Sequence, residues 1–106
     1  MKFEFCMVYI TTTDRKEADL ISKTLVEKRL AACANIFEDM ESMYHWKSKI
    51  ESDNECVVIL KTKVVLFGEL NEVVKNIHSY ENPCVVAYPM LDGNSEYLDW
   101  IRNETK

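Results

Sequence analysis

The stretch Met40–Thr62, "MESMYHWKSKIESDNECVVILKT", decides how the chain folds. It holds two runs rich in aromatic and β-branched residues, "MESMYHW" and "IESDNECVVILKT", with only "KSK" between them. Runs of that composition form strands, and so short a separation makes them the arms of one hairpin. The turn lacks the glycine or asparagine that a two-residue connection prefers. In the first arm Met43 and His45 alternate with Tyr44 and Trp46, so the two aromatics share a face. With "LAACANIF" leading into the first arm, each arm reaches about 15 residues, against a usual strand of about 5–6. Within the second arm "SDN", Ser52 to Asn54, predicts a bulge.

Working outward, "FEFCMVYIT" at residues 3–11 has the composition of a largely buried strand. "TTTD" breaks it, and Asp14 with Glu17 three residues later makes a capping box for a helix running to about Arg29. Ala18, Ile21 and Leu25 supply its buried stripe. Beyond the hairpin, Leu66, Leu70, Val73, Val74 and Ile77 predict a second helix, which Gly68 weakens without breaking. "CVVAYP" is almost wholly apolar, the mark of a strand covered on both faces. "LDGNS" turns the chain into a last short helix, capped by Asn94 or Ser95, with Tyr97, Leu98 and Ile101 facing inward.

The order is therefore β-α-β-β-α-β plus a terminal helix, a single α+β domain over residues 1–106 with the ferredoxin-like, split βαβ arrangement. Two helices cover one face of the sheet, and Phe3, Phe5, Val57 and Val86 do not all fit behind them. The long hairpin also projects past the domain. Exposed faces and edges of that kind call for another chain, so the pattern predicts an oligomer.

The bulk composition narrows the function. Net charge is −5 with a pI near 5.0, which argues against nucleic acid and anionic membrane as partners. Four cysteines, Cys6, Cys33, Cys56 and Cys84, lie far apart with no Cys-x-x-Cys pair. The chain opens without a signal-peptide pattern, so the expected location is the cytoplasm, with free thiols and no disulfides. Cys6, Cys33 and Cys56 sit in apolar surroundings and are expected to pack in the core. No glycine-rich phosphate loop, Gly-x-Ser-x-Gly or His-Glu-x-x-His occurs, and the expectation is that the protein is not an enzyme.

Five separated motifs then carry a resemblance over essentially the whole chain. They are "LVEKRLAACANI" at Leu25–Ile36, "SMYHWKSKIESDNE" with Ser42, Tyr44, Trp46, Lys49 and Glu55 in register, and "ILKTK" with Lys61 and Thr62. "HSYENP" with His78, Tyr80 and Pro83, and "YLDW" at Tyr97–Trp100, complete the set. The chain resembles the CutA proteins, the divalent-cation-tolerance family. The resemblance implies a PII-like homotrimer joined through the long hairpins and a role in tolerance of, or response to, divalent metal ions such as copper. The chain departs from the family pattern in places. Thr13 stands at a usual proline, Lys47-Ser48 at the usual Glu-Gly of the turn, and Cys84 at a usual carboxylate. Ile10 and Ile77 occupy positions where some bacterial relatives place copper ligands.

Two sites emerge as candidates. His78 and Cys84 offer an imidazole and a thiolate, ligands suited to copper or another divalent cation, with further donors needed from Glu81 or a neighbouring subunit. The plainer alternative has His78 capping the end of the second helix and Cys84 opening a buried strand. The resemblance also places Tyr44, Trp46, Lys61, His78 and Tyr80 near a cleft between subunits. There Lys61 would attract a small anionic ligand, with an aromatic stacking wall. Alternatively the aromatics bury interface area, and Lys61 pairs with a carboxylate. A third role is a structural one, the trimer serving as a platform for a protein partner.

Overall fold

The computed structural model describes residues 2–106. Its elements are β1 (Phe5–Thr12), α1 (Arg15–Glu27), β2 (Cys33–Trp46), β3 (Lys49–Lys63), α2 (Phe67–Ile77), β4 (Val85–Pro89) and α3 (Ser95–Glu104). A short 3-10 turn, Val64–Leu66, leads into α2. The strands form one sheet in the order β2-β3-β1-β4, and every pairing is antiparallel. This is the predicted split βαβ arrangement. Each crossover helix joins strands that are not neighbours, and β1 lies at the centre between β3 and β4.

Alternation along β1 sorts the two faces of the sheet. Cys6, Val8 and Ile10 pack with Val58 and Leu60 of β3 against Ala18, Ile21 and Leu25 of α1 and Leu70 and Val74 of α2. The opposite face is partly covered by α3, whose Ile101 packs on Phe5 and Ala32 with Leu98 and Met90 beside them. The third helix thus accounts for Phe5, which two helices could not have covered. Tyr97 does not join this cluster; it is exposed and stacks against Trp100 with ring centroids 5.5 Å apart.

Helix boundaries follow their caps. The Asp14 side chain accepts from the Glu17 amide at 2.9 Å, and Glu17 reaches back to the Thr13 amide at 2.9 Å. This is the predicted capping box, with the return bond made one residue upstream of its usual place. α1 stops at Glu27, and Arg29 at φ 58° turns the chain toward β2. Asn94 caps α3, accepting from the amides of Glu96 and Tyr97.

Two expectations are corrected. β4 is an edge strand, and Val86 and Tyr88 are exposed instead of covered: opposite Tyr9 and Met7, they stand on the sheet face away from α1 and α2, where α3 packs only over Phe5 and Ala32. The bulge lies in β2, across from its expected place. Ser52, Asp53 and Asn54 pair regularly with Met43, Ser42 and Glu41, whereas Phe37 pairs with Val57 and Met40 with Glu55. Glu38 and Asp39 therefore oppose Cys56 alone. Asp39 takes φ 58°, a left-handed conformation that a short polar side chain tolerates better than most. The hairpin closes through Lys47 and Ser48 at φ 50° and 68°, the two-residue turn that matches strand twist, built here without glycine.

Candidate functional site

Two segments meet at the site: the outer half of the β2–β3 hairpin, and the loop His78–Cys84 joining α2 to β4. The bulge orients the first. One inserted residue exchanges the faces of every side chain beyond it. Met40, Ser42, Tyr44 and Trp46 come to lie opposite Glu55, Asp53, Glu51 and Lys49. Cross-strand partners share a face, so Tyr44 and Trp46 stand on the face of Glu55. The Tyr44 hydroxyl donates to Asp53 Oδ2, and that bond, with nearby carboxylates, pushes the phenol up to about 12.

Buried polar groups hold the loop. The His78 side chain is wholly buried. Its Nδ1 accepts from the Tyr80 amide at 3.0 Å, and its Nε2–H donates to the Thr11 carbonyl at 2.8 Å. An amide can only donate and a carbonyl only accept, so these partners select the neutral Nε2–H tautomer. The 3.8 Å approach of Nδ1 to Glu17 is accordingly not an ion pair. Glu17 instead accepts from the Ser79 amide at 2.7 Å with one oxygen and from Thr13 with the other. Burial alone would raise its carboxyl, but the bonds from Thr13 and Ser79 outweigh it and leave Glu17 below the usual carboxylate value.

Between hairpin and loop lies a cleft of about 660 Å³ lined by Tyr44, Trp46, Glu55, Tyr80, Glu81 and Cys84, with Met43, His45 and polar neighbours completing it. The Tyr80 hydroxyl donates to Glu55 Oε2 at 2.7 Å, joining loop to hairpin, and Glu55 is only 7% exposed. Tyr9, whose hydroxyl lies 3.4 Å from the Met40 sulfur, belongs to the same neighbourhood. Tyr9, Tyr80 and Cys84 are all raised, by burial first, and the charge of Glu55 adds to each. Among the described residues no lysine or arginine lines the cleft.

Tyr44, Trp46, Tyr80 and Cys84 are thus brought together. Lys61 is not. Its ammonium donates to Asn35 Oδ1 at 2.6 Å and lies 6.0 Å from the Tyr97 ring, away from the cleft, and its partner is an amide where the plainer alternative had a carboxylate. His78 ends α2 as anticipated, since its amide bonds to the Val74 carbonyl at 2.8 Å. Its ring, however, turns inward to Thr11 and not onto the helix's own carbonyls. Cys6 and Cys56 are buried as expected, whereas Cys33 is half-buried with its sulfur 3.6 Å from the Tyr97 hydroxyl.

The predicted ligand pair fares differently from the pocket. Both His78 nitrogens are engaged by backbone, and the Cys84 thiol is held protonated by burial and the charge of Glu55. Among the described residues no group of three or more His, Cys, Asp or Glu is arranged to hold a metal ion. The described residues of one chain therefore do not supply a resident copper or zinc site, which needs about three or four donors.

Glu55 and Glu17 are the residues that sequence reading passed over as site elements. Glu55 carries two signals, its place in the hairpin motif and its position as the last carboxylate before the apolar run "CVVIL". Glu17 had been assigned its capping role, but its second oxygen serves a residue 62 positions away.

Comparison with known proteins places this geometry. A model of the CutA1 divalent ion tolerance protein family matches residues 6–104. The chain is 43% identical over 99 residues to the divalent-cation tolerance protein CutA of Thermus thermophilus, covering 93% of this chain and 96% of that one. It is 41% identical over 98 residues to human protein CutA, covering 92% of this chain and 55% of the longer human protein. Among solved structures, CutA1 of Thermus thermophilus is similar with a TM-score of 0.94 at 42% identity, covering 96% of this chain and 99% of that one. CutA1 of the psychrotrophic bacterium Shewanella sp. SIB1 is similar with a TM-score of 0.96 at 31% identity, covering 99% and 98%. Among the described residues no helix is long and apolar enough to cross a membrane.

Proposed function

The chain belongs to the CutA1 divalent ion tolerance protein family, and from that membership we propose that it serves in tolerance of, or response to, divalent metal ions as a ligand-binding homotrimer and not as an enzyme. The observation that carries the binding role is the cleft. A nearly buried carboxylate, three aromatic rings and a protonated thiol line a space of about 660 Å³, the size range of small-molecule sites. No resident metal is required for this reading, since the response would run through the cleft's ligand. A small anion suits the cleft poorly. Glu55 and Glu81 line it, and Lys61 is committed to Asn35 elsewhere.

Assembly is supported by what a single chain leaves bare. Met43 and Ile50 on the hairpin are 70% and 67% exposed, and Phe37, Val86 and Tyr88 lie uncovered on the sheet. The four thiols are unpaired, which suits a reducing compartment such as the cytoplasm. Native mass spectrometry is expected to return the mass of three 12.4 kDa chains. The functional test is complementation: cells lacking their own copy receive the wild-type chain, Glu55→Gln or Trp46→Ala and are grown in copper. Wild type should restore growth and both variants should fail while remaining folded. Full rescue by both variants would overturn the role assigned to the cleft.

A further inference from the structure

We infer that the cleft between the β2–β3 hairpin and the His78–Cys84 loop is a binding site for an organic ammonium cation, with Glu55 as the counter-charge and Tyr44, Trp46 and Tyr80 as the enclosing rings. The inference rests on the reading of this cleft as the functional site and names the class of its ligand.

The argument begins with charge. Glu55 is 7% exposed, yet the partner of its carboxylate is a neutral phenol, the Tyr80 hydroxyl at 2.7 Å, and not a lysine or arginine. A carboxylate so placed has given up much of its water without gaining a cation, which is unfavourable unless a ligand brings one. Lys49 shares the face of Glu55 but stands six residues away along β3, about 20 Å off at the hairpin tip and outside the cleft lining. Lys61 is bonded to Asn35, and Arg15 to Asp19 and Glu38. Lys47 lies over the Trp46 ring at 5.8 Å, at the hairpin tip and outside the cleft lining. Negative charge also surrounds the cleft, with Glu55 and Glu81 in its lining and Asp53 holding the Tyr44 hydroxyl.

The walls then choose among cations. A bare divalent ion needs several converging anionic or imidazole donors, and no such set occurs among the described residues. Aromatic faces, by contrast, attract a cation that carries its own apolar skin, as alkylated ammonium groups do. Tyr44 and Trp46 reach the cleft from one hairpin face because of the bulge at Glu38–Asp39, and Tyr80 enters from the loop opposite. Tyr80 is also kept neutral and directed by its bond to Glu55, so ring wall and counter-charge are built as one unit. The volume of about 660 Å³ leaves room for an ammonium group with a short polar or apolar tail.

The test uses choline as the probe and 3,3-dimethyl-1-butanol, its uncharged isostere, as the control. Both are titrated into the full assembled protein in amine-free phosphate buffer, read by calorimetry and by tryptophan fluorescence. Choline should bind saturably, and the neutral isostere about tenfold or more weakly. Glu55→Gln retains an acceptor for Tyr80, so it keeps the loop in place while removing the charge, and should weaken choline by about tenfold or more. Trp46→Ala, at a partly exposed hairpin position, tests the ring wall independently of that carboxylate. Equal binding of the isostere, no saturable choline signal, or wild-type affinity in both variants would each overturn the inference. Wild-type protein that binds no choline saturably while its cleft variants still lose copper tolerance would sink the ammonium assignment and leave the cleft's role in ion tolerance standing.

Discussion

Replacing Glu17 with glutamine should destabilise the protein by far more than its small change in shape suggests. The Glu17 carboxylate is buried, and each oxygen accepts from a backbone amide, Thr13 at 2.9 Å and Ser79 at 2.7 Å. Glutamine keeps one acceptor and turns the other into an NH₂ group facing an N–H donor. One charge-assisted bond, worth roughly 1.5–3 kcal/mol, is lost and the other is weakened. The expected loss is about 3 kcal/mol, or a fall in melting temperature on the order of 10–20 °C for a chain of this size. Urea unfolding followed by far-ultraviolet circular dichroism measures it, at one fixed protein concentration because subunit association is linked to stability. The same carboxylate has a pH signature. Its folded pKa is lowered from 4.5, so its contribution is present in full above that value and disappears as pH falls through the lower folded value. The gap between wild type and Glu17→Gln should therefore narrow below pH 4.5. A loss within about 0.5 kcal/mol, the range of an ordinary surface change, or a gap independent of acid, would refute the reasoning.

Three further changes test other parts of the fold. Ser48→Gly relieves a left-handed residue at φ 68° in the hairpin turn and should stabilise by about 1 kcal/mol, seen as a higher urea midpoint at unchanged slope; a lower midpoint would contradict it. Ile101→Ala empties the wholly buried anchor of α3 over Phe5 and should cost about 2–5 kcal/mol in the same assay, whereas a loss under about 1 kcal/mol would mean α3 is not needed to cover that face. Arg102→Ala breaks exposed pairs with Glu4 and Asp99 and should leave the urea midpoint nearly unchanged. A larger loss would assign real weight to the guanidinium lying 5.1 Å above the Phe5 ring.

The fold was readable because its signals are local. The hairpin followed from residue type, α1 from Asp14, Glu17 and a stripe at helical spacing, and α2 from Leu70, Val74 and their neighbours. Edge status was not readable. "CVVAYP" has the composition of a doubly covered strand, yet Val86 and Tyr88 stand on the sheet face away from α1 and α2, beyond the reach of α3, and are exposed in the single chain. Composition reports what a strand could bury, and the packing of helices on each face decides what it does bury. Which of the candidate pocket residues meet in one chain was not readable. Motif and aromatic pattern pointed to Tyr44, Trp46 and Tyr80, but they also pointed to Lys61, whose partner turned out to be Asn35.

What the sequence determined by itself is the order of elements, the long hairpin, the helical face of the core and the family to which the chain belongs. Each rests on patterns spanning a turn or a strand, where backbone geometry alone dictates which residues align. Tertiary structure decided the site. The ring of His78 turns inward to a carbonyl 67 residues away, and Glu17 reaches an amide 62 residues away. Tyr80 finds Glu55 across 25 residues. No local period encodes such pairings; they exist only once packing has brought the loop against the hairpin and taken these polar groups out of water, where each must find the partner that remains. The bulge at Glu38–Asp39 makes the same point within one strand. A single extra residue, invisible to composition, placed Tyr44 and Trp46 on the face of Glu55 and so gave the cleft its rings.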